Sequence, residues 1–312
     1  MNKLSAKIYV AGHNGLVGSA IVRELKRDGY KNVIIADKKK LDLTNQKNTL
    51  KFLKKNKPAF IFIAAAKVGG IYANNKYKAE YIYQNLIIQS NLIHGAYLSG
   101  IKNLIFLGSS CVYPKNCKQP IKEKYLLTGE LEPTNDAYAV AKIAGIKMCQ
   151  SYNDQYGTNY RCLMPSNTFG PKDKYDKINS HFLPAIIRKI HALKASKKNE
   201  LLLWGNGKAK REAIHVDDLA NACVYFMNTK TKHSIINIGT GKDYQIKYYA
   251  DLMAKIILPN KKIFIKYDPS KPNGTPRKAM DVSLAKKYGW QFKISLKKSI
   301  LKAYQSYLKE IS

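Results

Sequence analysis

Five residues of this chain carry side chains able to do chemistry together: Ser109, Cys111, Tyr138, Lys142 and, further on, His181. Tyr138 and Lys142 lie four apart in a stretch of helical pattern, so their side chains share one face. A phenol, with an ordinary pKa of about 10, is a poor acid–base group at neutral pH. A neighbouring ammonium and an oxidised nicotinamide would stabilise the phenolate and lower that value. Ser109 would hydrogen-bond the same carbonyl oxygen and help polarise it. Those three groups suffice for hydride transfer at a carbonyl. Cys111 and His181 add something else. A ketone acidifies the hydrogens on both adjacent carbons. A base on one face and an acid on the other can then invert those centres through an enolate held by Tyr138 and Ser109. Taken singly, Cys111 reads equally well as an inert core thiol and His181 as a helix-start residue. Tyrosine is abundant here, at 22 residues, so a chance Tyr-x-x-x-Lys is nearly unavoidable. Its position, opening a helix after Pro133-Thr134-Asn135-Asp136 and downstream of Ser-x-Cys, gives this one meaning.

Apolar runs at Ile8–Ala11, Val33–Ala36, Ala59–Ala64, Leu104–Leu107 and Arg161–Met164 read as strands. They alternate with amphipathic stretches near Leu16–Asp28, Asn45–Lys54, Lys78–Leu98 and Ala137–Gln155, the pattern of an α/β, doubly wound parallel sheet. Strand 1 runs into Gly12-His13-Asn14-Gly15-Leu16-Val17-Gly18 and then a helix, a G-x-x-G-x-x-G loop that predicts a Rossmann-type dinucleotide site. Gly12 permits the tight turn, Gly15 lets backbone approach the pyrophosphate, and Gly18 lets helix pack on strand. Asp37 ends strand 2, where an acidic residue accepts a ribose 2′-OH and favours NAD; Lys38 and the two lysines after it would instead suit a 2′-phosphate. After about Pro171 the alternation becomes irregular, with a helix near Ser180–Leu193, short strands at Leu201–Trp204, Ile235–Ile238 and Ile263–Lys266, and helices near Ile246–Ile257 and Leu296–Lys309. The expected organisation is a Rossmann domain over 1–170 and a smaller C-terminal α/β substrate lobe over 171–312, its segments interleaved with the first.

At 312 residues and 45% hydrophobic the chain has ample core for both. No apolar run is long enough for a transmembrane helix. The N-terminal segment leads directly into a strand with no room for a signal peptide, so a cytoplasmic location and no membrane partner are expected. The five cysteines are scattered with no Cys-x-x-Cys, neither a disulfide framework nor a metal site. A formal charge of +33 invites a nucleic-acid reading. Yet only six of the 54 basic residues are arginine and the lysines run along the whole chain, which reads as compositional bias with no nucleic-acid partner. Such a field would still steer an anionic substrate inward.

Several strings resemble the GDP-L-fucose synthase family of extended short-chain dehydrogenase/reductases. They include the Gly12–Ala20 loop, Ala65-Ala66-Lys67-Val68-Gly69-Gly70-Ile71, Leu107-Gly108-Ser109-Ser110-Cys111-Val112-Tyr113-Pro114-Lys115 and Leu131-Glu132-Pro133-Thr134-Asn135. Ala141-Lys142-Ile143-Ala144-Gly145, Asn179-Ser180-His181 and Asn273-Gly274-Thr275-Pro276-Arg277-Lys278 extend the match over about residues 7 to 300. The resemblance implies a homodimeric NADPH enzyme that epimerises GDP-4-keto-6-deoxy-D-mannose at C3 and C5 and reduces C4, giving GDP-L-fucose. It implies Tyr138 as proton donor to O4, assisted by Lys142 and Ser109, with Cys111 as epimerisation base and His181 as acid. Gly12 to Gly18, Leu107 to Ser110, Lys142, Pro165, Ser166, Asn167, Thr168 and His181 would line the cofactor. Lys189, Trp204, Arg211, Asn273 and Lys278 would surround the GDP-sugar. Arg211 can pair with a diphosphate, while Trp204 offers either a stacking face or a core aromatic. Asn14 and Asp37 depart from family arginines that serve NADP, so weak discrimination against NADH, or use of NAD(H), is expected. Lys189 replaces an arginine and loses bidentate pairing. The alternatives are an enzyme acting on another GDP-4-keto-6-deoxy sugar, such as a heptose, and more distantly a non-catalytic dinucleotide sensor.

Overall fold

A computed structural model describes residues 3–176, 180–270 and 274–312. The chain opens with β1 (Ile8–Ala11), α1 (Leu16–Arg27), β2 (Val33–Ile34), α2 (Gln46–Asn56) and β3 (Phe60–Ile63). Next come α3 (Ile71–Lys76), α4 (Lys78–Leu98), β4 (Asn103–Leu107), α5 (Asp136–Tyr156) and β5 (Asn159–Pro165). β1 and β3 are buried at every residue because helices cover both faces of the sheet, which is why they read as unbroken apolar runs. Side chains alternate across the sheet. Ile8 and Val10 therefore enter one core with Leu25 and Phe62, while Tyr9 and Ala11 enter another with Ile61, Ile93 and Phe106.

The remaining elements are β6 (Asn167–Phe169), α6 (Phe182–Ala192), β7 (Glu200–Trp204), β8 (Lys210–His215), α7 (Val216–Asn228) and β9 (Ile235–Ile238). β10 (Asp243–Gln245), α8 (Ile246–Ile257), β11 (Phe264–Asp268), β12 (Arg277–Lys278), α9 (Ser283–Lys287) and α10 (Leu296–Ile311) complete the chain. The main sheet has the order β2-β1-β3-β4-β5-β9, and every pairing in it is parallel. The strand at Ile235–Ile238, which follows the irregular C-terminal stretch in sequence, is thus the sixth strand of the main sheet. Helix α7, which sequence patterning did not single out, packs on α1 and contributes Leu219, Cys223 and Phe226 to the first core. Outside the main sheet, β8 lies between β10 and β12 and also pairs β6, while β7 and β11 form a separate parallel pair. A third core of Ile187, Leu203, Met253 and Tyr304 holds α6, β7, α8 and α10 together.

The chain leaves β1 toward β2 on one side and returns to β3 on the other. That reversal opens a crevice beyond the carboxyl ends of β1 and β3, the usual ligand position in such sheets. Among the described residues no helix is long and apolar enough to cross a membrane.

Candidate active site

The glycine loop sits in that crevice. Gly12 has a φ of +85°, and a Cβ there would lie 2.6 Å from the Ala65 amide nitrogen. A Cβ on Gly18 would overlap the Gly12 carbonyl oxygen. Gly15 caps α1 without a side-chain hydrogen bond, whereas Asn45 and Ser295 cap α2 and α10 through theirs. The first amides of α1 are left for a ligand, and the helix dipole favours an anion there. Beside them the His13 Nδ1 atom is buried with no hydrogen-bond partner among the described residues. Leu16 and Val17 turn inward onto the core, and Asn14 is exposed. These residues fit a dinucleotide diphosphate. Gly18→Ala should consequently cost about 1–3 kcal/mol of stability through overpacking and abolish cofactor binding, measured by thermal unfolding and by NADPH fluorescence. Unimpaired cofactor affinity would show that the close approach of Gly12 and Gly18 is not needed.

β2 stops at Ile34, short of the expected Ala36, and three residues on the Asp37 Oδ1 atom accepts the Lys40 amide at 2.9 Å, so this carboxylate shapes its own turn. Lys38 is exposed, as are the two lysines after it.

Across the crevice, the Leu107 carbonyl accepts the Lys142 Nζ at 2.7 Å. A Cβ on Gly108 would overlap the Met164 side chain, which brings the 107–110 turn down onto β5. Ser109 Oγ accepts the Cys111 amide at 3.2 Å and starts a single 3-10 turn that sets the direction of the thiol. Ser110 is buried beneath it. Helix α5 then brings Tyr138 beside Ser109 and Lys142 to Leu107. Burial raises the Tyr138 pKa, the nearby Cys111 adds to the rise, and Ser109 opposes it. Burial also pulls Lys142 down to about 8. The lowered phenol pKa expected from the sequence is therefore not found in the protein alone. Desolvation dominates there, while the Lys142 ammonium lies 5.9 Å from the Tyr138 ring centroid and is engaged by a carbonyl.

Lys278 and Arg211 complete the group. They are register partners on the parallel strands β12 and β8, so both project to one face. The Lys278 Nζ lies 4.0 Å from the Cys111 sulfur. Arg211 is pulled down by burial, and Cys111 and then Glu132 are the neighbours that push it back up. Glu132 is a residue the sequence reading gave no role, although it lies in Leu131-Glu132-Pro133. It pairs with Lys115 at 3.2 Å as well as facing Arg211. The fully buried Glu212 next along β8 accepts the Met280 amide at 2.6 Å and the Gly241 amide at 3.0 Å, anchoring β8 to β12. Nothing in the sequence marked it, because its partners are backbone amides far along the chain.

Other expected residues serve the scaffold in part. Ser166 N donates to the Ile238 carbonyl at 2.9 Å, Asn167 Nδ2 to the Glu212 carbonyl at 2.7 Å, and Thr168 Oγ1 to the Ser166 carbonyl at 3.1 Å. Pro165 ends β5 beside them. Lys189 donates to the Leu202 carbonyl at 2.8 Å, tying α6 to β7. Trp204 is 48% exposed, which removes the core-aromatic alternative. His181 precedes α6 and keeps solvent contact; surrounding protein lowers its pKa, and Lys174 adds to that. It makes no hydrogen bond to Ser109, Cys111 or Tyr138 among the described residues. Asn179 and Asn273 lie outside the described residues. Among the described residues no three His, Cys, Asp or Glu side chains gather as a metal ion would require.

A doubly wound sheet with a glycine-loop crevice and a Ser–Tyr–Lys group at its mouth defines a dinucleotide-dependent enzyme acting on carbonyl or hydroxyl carbons. The chain belongs to the NAD dependent epimerase/dehydratase family, whose model matches residues 8–239. Its similar relatives are more particular. GDP-L-fucose synthase 1 of Arabidopsis thaliana is 48% identical over 311 residues, covering 100% of this chain and 96% of that one. The GDP-L-fucose synthase of Escherichia coli K12 is 44% identical, covering 97% and 96%. Among solved structures, a GDP-mannoheptose C4 reductase from Campylobacter jejuni with NADP bound is 38% identical, with a TM-score of 0.87 over 99% of this chain and 100% of that one. The α/β fold and the resemblance expected from the motifs are both borne out.

Proposed function

We propose that this chain converts GDP-4-keto-6-deoxy-D-mannose to GDP-L-fucose by epimerising C3 and C5 and reducing the C4 ketone with NADPH. The supporting observation is the placement of a half-buried thiol, Cys111, against the Ser109–Tyr138 pair and opposite Arg211 and Lys278. The Cys111 thiolate takes a proton from carbon next to the ketone, and the C–H electron pair becomes the enolate. Tyr138 and Ser109 hold the enolate oxygen, and His181 returns a proton to the opposite face. Between two such events Cys111 loses its proton to solvent and His181 takes one up, and both centres are inverted. NADPH, held by the Gly12–Gly18 loop, would then supply hydride to C4. The neutral Tyr138 phenol donates its proton to O4 as this occurs. Arg211 pairs with the diphosphate and Trp204 gives a face to the nucleotide.

Incubation with the keto sugar and NADPH in D2O tests this, with NMR of the product. GDP-L-fucose labelled at C3 and C5 is expected. A reduced but unlabelled sugar would favour the second reading, simple C4 reduction of a related GDP-sugar, which the Campylobacter jejuni relative motivates.

Cofactor choice follows from the β2 turn. With Asp37 committed to the Lys40 amide and lysines beside it, NADPH should be preferred over NADH by no more than about tenfold in kcat/KM, one charge-assisted contact's worth. Comparing the two cofactors under saturating sugar settles it; a preference of a thousandfold would require a phosphate clamp elsewhere. A homodimer forms part of the proposal. The long helices α4 and α5 leave Tyr83, Leu98, Val140 and Tyr156 on the surface. Sedimentation as a dimer is the expected result.

A further inference from the structure

Lys278 does more in this site than a place beside the GDP-sugar requires. Its chain neighbour Arg277 is held in a two-bond ion pair with Asp243, at 2.7 and 2.9 Å, and is thereby fixed away from the cleft. The Lys278 ammonium has no carboxylate partner among the described residues. Its polar contact is the Cys111 sulfur at 4.0 Å. Strand register sets this arrangement. Pairing of Lys278 with Arg211, and of Arg277 with Lys210, sends alternate cations to opposite faces. The Glu212 carboxylate, by receiving the Met280 amide, holds the segment after β12 at that depth. Arg211 adds a second positive charge near the same sulfur. Cys117, in the loop that follows, also lies within range of the Lys278 charge, but burial raises its pKa, which leaves it a thiol.

We propose that Lys278 is the counter-cation of the Cys111 thiolate, a positioning residue that pairs with the epimerisation base and aims it at the sugar. The inference rests on the reading of Cys111 as that base. When the thiolate takes the carbon-bound proton it becomes a neutral thiol, and the Lys278 charge is freed to face the enolate that has just formed. The same ammonium thus supports the negative charge before and after proton transfer, and the charge need not be resolvated between the two. A lysine serving only the diphosphate would have no reason to contact sulfur.

The test reads the thiol without substrate. The protein is treated with neutral iodoacetamide at pH 7.5, and carboxamidomethylation at Cys111 is followed by peptide mass spectrometry. Because the thiolate is the nucleophile, Lys278→Met should slow Cys111 alkylation by about tenfold, while Lys278→Arg should keep the parent rate. NADPH binding by each variant reports that the fold is intact. Equal rates in Lys278→Met and the parent would overturn the inference, and so would a Lys278→Arg variant as slow as Lys278→Met. If Lys278→Met does not fold, Lys278→Gln takes its place: about a tenfold loss upholds the role of charge, and a parental rate rejects it. Failure of the epimerase reading is separately visible, as absence of deuterium in the product of the unmodified protein.

Discussion

Tyr138→Phe is expected to slow hydride transfer to the keto sugar by about a thousandfold, the middle of the range for removing a general acid. The substitution deletes one oxygen and keeps the ring in place on α5, so the packing near Ala139 and Ala141 persists. What is lost is the proton that O4 must receive as hydride reaches C4. Burial keeps the Tyr138 phenol protonated, the form needed in the reducing direction. Lys142, pulled down to about 8 by burial, still carries its proton through most molecules at pH 7 and donates to Leu107 at the floor of the cofactor crevice. Ser109 remains to polarise the carbonyl, so a residual rate should persist. Single-turnover oxidation of NADPH measures the step directly, and cofactor affinity should be near that of the parent. A loss of less than threefold would mean that another group protonates O4.

Cys111→Ala separates the two halves of the reaction. Washout of carbon-bound hydrogen into D2O should fall at least about a hundredfold, the scale of losing a general base. Reduction of a ketone already inverted at C3 and C5 should continue, because Tyr138, Ser109 and Lys142 do not depend on the sulfur for their contacts. Monitoring label by NMR and NADPH by absorbance in parallel resolves the two. If exchange persists in Cys111→Ala, the base lies elsewhere and the thiol is structural. If both activities vanish while the protein stays folded, the sulfur is needed to place the sugar. His181→Asn should lower exchange in the same assay, as removal of the acid on the opposite face.

Much of this site was legible in the chain because its parts are local. Gly12, Gly15 and Gly18 are spaced for one turn of backbone, and Tyr138 and Lys142 for one turn of helix. Ser109 and Cys111 share a single 3-10 turn. Short-range geometry of this kind follows from residue type and spacing alone. Cation placement was harder. Residues 211 and 278 are far apart in sequence, and only the β8–β12 register puts them side by side. Trp204 was open between a stacking face and the core, because a strand's alternation does not say which face the rest of the chain will cover.

The sequence by itself determined the α/β class, the dinucleotide loop and the side chains proposed to react. These rest on backbone freedom at glycine, on the apolar periods of strands and helices, and on the chemistry of each functional group. Tertiary structure decided three further points. It sent Ile235–Ile238 into the main sheet, where apolar surface on both faces can be covered. It raised the Tyr138 pKa where a neighbouring lysine suggested the reverse, since desolvation depends on everything packed around the ring. Last, it set Lys278 against Cys111, a contact 167 residues apart in sequence that only strand pairing and the buried Glu212 carboxylate can create.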